Sequence, residues 1–296
     1  MNPFGRVGVF LMGAPADAAE LAHARVLIPK LKVEHVHFIH VQEDSLADCP
    51  PPPTAEAFRD QVTAVLGPIP GVSIGFEVDP GKAITEVLCK ADELDLDLII
   101  LGRRLPSGVL SVGSRFARLA RKAPCSVLLI PEGVTPHLSR LLVAVDFSEG
   151  SKRALETAIR LASASQQDRP QVVCQHVFDV HYGHRYAGAT LEEVTHDIET
   201  HRRREFDRFL ASVDTGGVSV ELLLTASHEP ATAVLHVAAI RKMDVVLVGS
   251  RGHSFASTLL MGGFSEQILV AAAAPVMIVK QKGETRGFLK AIKDLV

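Results

Sequence analysis

The sequence predicts an α/β fold built twice: two tandem, doubly wound domains, each around a five-stranded parallel sheet. Three observations predict it. Short apolar runs, bounded by glycine, proline or polar clusters, alternate with stretches of helical periodicity. The same order of runs and helices restarts after a linker near the middle of the chain. The repeat is also visible in the letters. Gly71-Val72-Ser73-Ile74 matches Gly217-Val218-Ser219-Val220, and Leu98-Ile99-Ile100-Leu101-Gly102 matches Val245-Val246-Leu247-Val248-Gly249. Ala123-Pro124-Cys125-Ser126-Val127 matches Ala273-Ala274-Pro275-Val276, and His40-Val41 matches His176-Val177. Strands that alternate with helices imply parallel sheets covered by helices on both faces.

In the first copy, residues 7–12 read as a buried strand and 14–28 as an Ala-rich helix stopped by Pro29. Residues 33–41 form a second strand carrying His35, His37 and His40. A proline-rich loop over 49–53 leads to a helix over 54–66 and an alternating strand over 72–78. Pro80 and Gly81 open a helix to about residue 93, followed by a strongly apolar strand over 96–101, a helix over 114–122 and a strand over 126–130. Residues 131–137 are the linker. The second copy begins with a strand over 141–145 ending at Asp146, and Ser148 or Ser151 can cap the helix to residue 164. A strand over 172–177, a long amphipathic helix over 191–210 and a strand over 218–224 follow. Pro230 suits the first position of a helix running to 241. The set closes with a strand over 245–248, a glycine loop, a helix from about Ser265 that ends before Pro275, and a strand over 276–279. Domain 1 is expected over 1–133, domain 2 over 138–282, and a helical tail over 283–296.

Composition narrows the function classes. The 296 residues are 47% hydrophobic and 22% charged, a globular balance long enough for two domains. Aromatics are 5% and Trp is absent, so aliphatic packing dominates the core. A net charge of −3 does not indicate a nucleic-acid or anionic-membrane surface, and the basic cluster at 202–204 reads as a solvated helix face. Cys49, Cys89, Cys125 and Cys174 form no C-x-x-C pair, which fits a reducing cytoplasm and argues against a disulfide framework or a zinc knuckle. The apolar run at 7–12 is too short to span a bilayer and weak as a signal peptide.

The chemistry concentrates between residues 244 and 279. Gly249, Gly252 and Gly262 are spaced by two and then nine residues, between one apolar strand and the helix that precedes another. Glycine admits positive φ and lets an anion approach the backbone without meeting a Cβ, and a helix start presents free N–H groups to it. This arrangement closely resembles the nucleotide-binding signature of the universal stress protein family. The resemblance spans nearly the whole chain as a tandem pair. It implies Rossmann-like domains that form an intramolecular pseudo-dimer through their final strands. It also implies an adenine nucleotide (ATP, ADP or AMP, with or without magnesium) and a role in regulation or stress tolerance. In the tail, Phe288, Leu289, Ile292 and Leu295 fall on one helical face, which packs on its own chain by default or, alternatively, on a second chain in a homodimer.

Residue by residue, the resemblance places Ala144, Val145, Asp146 and Val177 around the adenine and ribose. Gly249, Arg251, Gly252 and His253 would wrap the phosphates, and Gly262, Gly263, Phe264 and Ser265 would offer N–H groups at the helix start. Gly263 stands where the family has Ser or Thr, and Ser265 lies two positions further on. The first copy departs more: Met12 occupies the Asp146 position, Leu105 replaces the second glycine, and Gly113-Ser114 comes two residues early. Its site reads as degenerate.

Other chemistries fit less well. Gly252-His253-Ser254-Phe255-Ala256 resembles a hydrolase elbow poorly, and no histidine follows His253 to complete the usual triad order. Gly81-Lys82-Ala83 fails as a Walker loop. Cys174 and His176 share a strand face, with His181 and His184 beyond, but this spacing does not define a tetrahedral metal site and no metal is expected. Asp146 reads alternatively as a turn or capping residue. Two further functional readings are a nucleotide-independent interaction scaffold of the same fold and a slow ATP hydrolase, with no catalytic residue assigned.

Overall fold

The computed structural model describes residues 2–13, 17–42, 53–80, 83–103, 112–164, 170–180, 190–250 and 263–283. The chain divides into two compact units, Met1–Pro136 with Ala273–Val296, and His137–Ala272.

In the first unit, β1 (Arg6–Leu11), β2 (His35–Gln42), β3 (Ser73–Pro80), β4 (Leu98–Arg103) and β5 (Ser126–Pro131) are parallel, in the order β3-β2-β1-β4-β5. Its helices are α1 (Asp17–Lys30), α2 (Ala55–Leu66), α3 (Ala83–Glu93) and α4 (Val112–Lys122). β1, β4 and β5 are almost wholly buried, which is why they read as unbroken apolar runs rather than alternating ones. The last strand of the chain, β10 (Val276–Val279), adds antiparallel to β5, with Met277 opposite Leu128.

That strand is fastened by two lysines. The Lys280 ammonium is buried and donates to the carbonyls of Arg121 (3.0 Å) and Ala123 (2.8 Å), at the C-terminal end of α4 where a cation also meets the negative end of the helix. Lys282 pairs with the carboxylates of Asp95 and Asp97, both at 2.8 Å.

In the second unit, β6 (Arg140–Ala144), β7 (Gln171–Phe178), β8 (Val220–Ala226) and β9 (Val245–Gly249) are parallel in the order β9-β6-β7-β8. The helices are α5 (Glu149–Ser163), α6 (Leu191–Ala211), α7 (Pro230–Ile240) and α8 (Gly263–Ala271). Thr190 and Glu193 close a reciprocal capping box at the start of α6, and Pro230 opens α7 as expected. In both units the strand order reverses beside the first strand, between β1 and β4 and between β6 and β9. Open parallel sheets hold ligands at such points, at the carboxyl ends of the strands.

One local expectation needs correcting: α1 does not stop before Pro29 but runs through it to Lys30. Proline removes one N–H and crowds one carbonyl, losses that a final helical turn tolerates better than an interior one. The actual stop is Lys32 at φ 53°, where the Val33 N–H turns back to the Ile28 carbonyl (3.1 Å). α3 and α7 end the same way, with Asp95 and Lys242 at φ 49° and return bonds Leu96 to Ala91 and Met243 to Ala238. Among the described residues, no helix is long and apolar enough to cross a membrane.

Candidate functional site

The candidate site of the second unit is built on the turn that follows β6. Ala144 and Val145 are buried, and the Val145 N–H donates to the Gln175 carbonyl of β7 (2.9 Å), extending the sheet by one residue. Asp146 follows, half-exposed, at the carboxyl end of the strand. Its Oδ1 accepts from the Ser148 N–H (3.1 Å) and from the Ser148 hydroxyl (2.5 Å). Ser148 in turn caps α5, its hydroxyl oxygen accepting from the Ser151 N–H at 3.2 Å. The carboxylate is therefore oriented by the helix start it precedes, and Ser148 rather than Ser151 is the cap.

Gly249, at the end of β9, lies against that same helix start. A Cβ there would fall 2.5 Å from the Gly150 carbonyl carbon and 2.9 Å from the Ser151 nitrogen, so only glycine admits this approach of strand to helix. Ala144, Val145 and Asp146 thus share one strand end, flanked by Gly249 on β9 and by half-buried Val177 on β7. Gly263 is the exposed first residue of α8, Phe264 is half-buried and Ser265 is buried. Arg251, Gly252, His253 and Gly262 lie outside the described residues, as do Leu105, His181, His184, the serine of the elbow-like motif and the tail residues.

Two residues that sequence reasoning did not place in the site hold its turn. Phe147 has φ 64°, a left-handed conformation that costs a bulky side chain about 1–2 kcal/mol. Its ring stacks on His176 of β7, with centroids 4.4 Å apart and planes at 24°, and leans on Phe209 of α6 at 5.6 Å. The Nδ1 of His176 lies 2.8 Å from the Val145 carbonyl, so Nδ1 carries the hydrogen and donates it. Burial pushes the imidazole below its ordinary range, against the pull of that hydrogen bond. The only sequence signal for this arrangement was the repeated His-Val pair. Cys174, two residues earlier, is fully buried, and burial pushes its thiol up to about 12, away from the thiolate a metal would need.

The first unit has the same frame with other contents. Leu11 pairs with His40, so Met12 stands where Asp146 does and Gly13, at φ 68°, where Phe147 does. The turn is held by Asp17, whose carboxylate accepts from the N–H groups of Met12 (3.3 Å) and Gly13 (2.8 Å). Beside it Glu20 is buried at 1% exposure, within reach of the Gly102 N–H. Burial and the neighbouring Asp17 charge drive its carboxyl well above the usual range. The corner between strand end and helix, occupied in the second unit by the Gly249–Gly150 backbone contact, here contains a side-chain acid.

The fold defines a duplicated α/β protein of the doubly wound class, with a switch point in the sheet of each unit. The model of the universal stress protein family matches residues 14–131 and again 137–280, and the chain belongs to that family. Among relatives, the universal stress protein YxiE of Bacillus subtilis (strain 168) is 24% identical over 155 residues, covering 48% of this chain and 99% of that protein. The match at one-domain length agrees with the duplication. Two solved structures show the same fold across both copies. A universal stress protein from Archaeoglobus fulgidus DSM 4304 superposes with a TM-score of 0.66 at 17% identity, covering 94% of this chain and 96% of that one. A putative universal stress protein from Pseudomonas aeruginosa UCBPP-PA14 gives 0.69 at 15%, covering 98% of each.

Proposed function

We propose that the second unit binds an adenine nucleotide (ATP, ADP or AMP, with magnesium as the counter-ion of the phosphates) and that the chain serves a regulatory or stress-tolerance role in the cytoplasm rather than metabolic turnover. The observation that carries this reading is Asp146, a carboxylate at the switch point, oriented by Ser148 and left half-exposed at the strand end. A ribose hydroxyl is a natural donor to such a group. Val145 and Val177 supply apolar surface for the base. Gly249, Arg251, Gly252 and His253, with the helix start at Gly262, Gly263, Phe264 and Ser265, supply phosphate contacts through backbone N–H groups. The first unit, with Met12 at the equivalent position and Glu20 buried beside Gly102, does not bind nucleotide in this reading.

The test is to denature the purified protein, identify any released nucleotide, and titrate ATP, ADP and AMP by calorimetry. Asp146→Ala is expected to weaken binding about tenfold or more, the loss of one hydrogen bond to a charged group, while Met12→Ala leaves affinity unchanged. Two observations favour a second reading, a nucleotide-independent scaffold: Gly263 brings no hydroxyl to the helix start, and Asp146 already serves its own turn. Absence of binding at millimolar nucleotide supports that scaffold.

A further inference from the structure

His176 touches both neighbours of Asp146. Its Nδ1–H donates to the carbonyl of Val145, the residue before, and its ring face carries Phe147, the residue after. Phe147 needs that support. The equivalent turn of the first unit meets the same φ with Gly13, which has no steric penalty to offset. In the second unit a bulky residue holds the left-handed conformation, and its ring has the imidazole on one side and Phe206 and Phe209 of α6 nearby. With Nδ1 donating, Nε2 is the bare acceptor of a neutral ring, and it is buried with no hydrogen-bond partner among the described residues.

Protonation would put a second N–H and a full charge at that buried nitrogen, on a ring stacked against Phe147. The charged groups that face the ring are Asp146 from its own turn and Arg202 and Glu205 from α6. Asp146 and Glu205 favour the imidazolium and Arg202 opposes it. Glu205 is already paired with Arg202 at 2.6 Å and with His201 at 3.4 Å, so its pull is largely spent. Burial, with Arg202 acting in the same direction, outweighs the Val145 hydrogen bond and the two carboxylates, and the fold favours the neutral ring. Acid then favours any arrangement in which the ring leaves the pocket, dropping the Val145 carbonyl and the Phe147 ring together. Asp146 would lose its placement from both sides.

We infer that His176 is the positioning residue of the Asp146 turn and that it makes the turn pH-dependent, ordered with a neutral imidazole and released by acid. This rests on the nucleotide reading only for its consequence, that affinity in the second unit falls as pH falls. Stability of the turn is present above the ordinary histidine range and is lost as pH falls below it.

The experiment has two arms. Nitrogen-15 NMR of the ligand-free protein follows the His176 ring and the Val145, Asp146 and Phe147 amides between about pH 8 and pH 5. The expected result is a ring that stays in the Nδ1–H tautomer to below the ordinary range, with the three amides shifting in step when it titrates. In the second arm, ADP affinity is measured over the same range for the wild type and for His176→Asn, whose side-chain amide keeps a donor near Nδ1 but does not titrate. Wild-type affinity is expected to fall about tenfold more than that of the variant; the phosphate of ADP titrates in both, so the difference isolates the imidazole. Parallel profiles, or a ring that titrates normally while the three amides stay still, overturn the inference. If ADP binds at no pH, the nucleotide reading fails, and the NMR arm alone decides whether His176 holds the turn.

Discussion

At the residue scale, the two copies differ by what occupies a shared frame. Gly249 can be read from the sequence as part of a glycine loop, but its role in the structure is steric: it lets β9 meet the backbone of α5. The predicted Cβ contacts in Gly249→Ala are to backbone atoms of Gly150 and Ser151, which cannot swing aside. The expected cost is about 2–3 kcal/mol, the upper part of the range for overpacking, read as a lower urea midpoint for the second unit. An unchanged midpoint would show that the strand–helix approach is loose. Phe147 carries the opposite lesson. A left-handed phenylalanine has no signature in hydropathy or spacing, and it is tolerated because His176 and the α6 aromatics stabilise its ring. Glu20 was likewise silent in the sequence, since an acid in the first turn of a helix ordinarily faces water.

At the scale of elements, periodicity located the strands and helices of the described residues, because apolar runs of strand length and helical faces answer to local geometry. Helix ends were harder. α1, α3 and α7 stop at Lys32, Asp95 and Lys242 in the left-handed region, where glycine is the usual signal, so the stops could not be seen. The fastening of β10 was also hidden, because Lys280 looks like any lysine after a strand. In the fold its buried ammonium satisfies two carbonyls at the end of α4. Lys280→Met keeps the length of the side chain and removes the donors. It is expected to cost about 1–3 kcal/mol through the orphaned carbonyls, seen as faster hydrogen exchange of the β5 and β10 amides. Lys282→Met should change that exchange little, since its ammonium and Asp95 are exposed and screened and Asp97 keeps the Arg6 N–H as a partner. Equal effects of the two substitutions would count against this account.

At the scale of the whole molecule, the duplication carries a prediction that separates the units. A ligand held by the second unit stabilises the state that binds it, by about 2.7 kcal/mol at a hundredfold excess over its dissociation constant. Hydrogen exchange with saturating ADP should therefore slow in β6, β7 and β9 and leave β1, β2 and β4 unchanged. Protection spread evenly over both, or absent from both, would remove the asymmetry on which the functional reading stands.

The sequence by itself determined the order of the described elements, the repeat and the family. Each of these follows from patterns local in the chain or from similarity between its halves. Only the tertiary structure decided that Lys280 fastens β10 at the end of α4, that an acid lies buried beside Gly102, and that one imidazole supports both sides of Asp146. Those outcomes depend on which groups meet across long separations in the chain, where burial and unsatisfied hydrogen bonds set the energies and no local pattern records them.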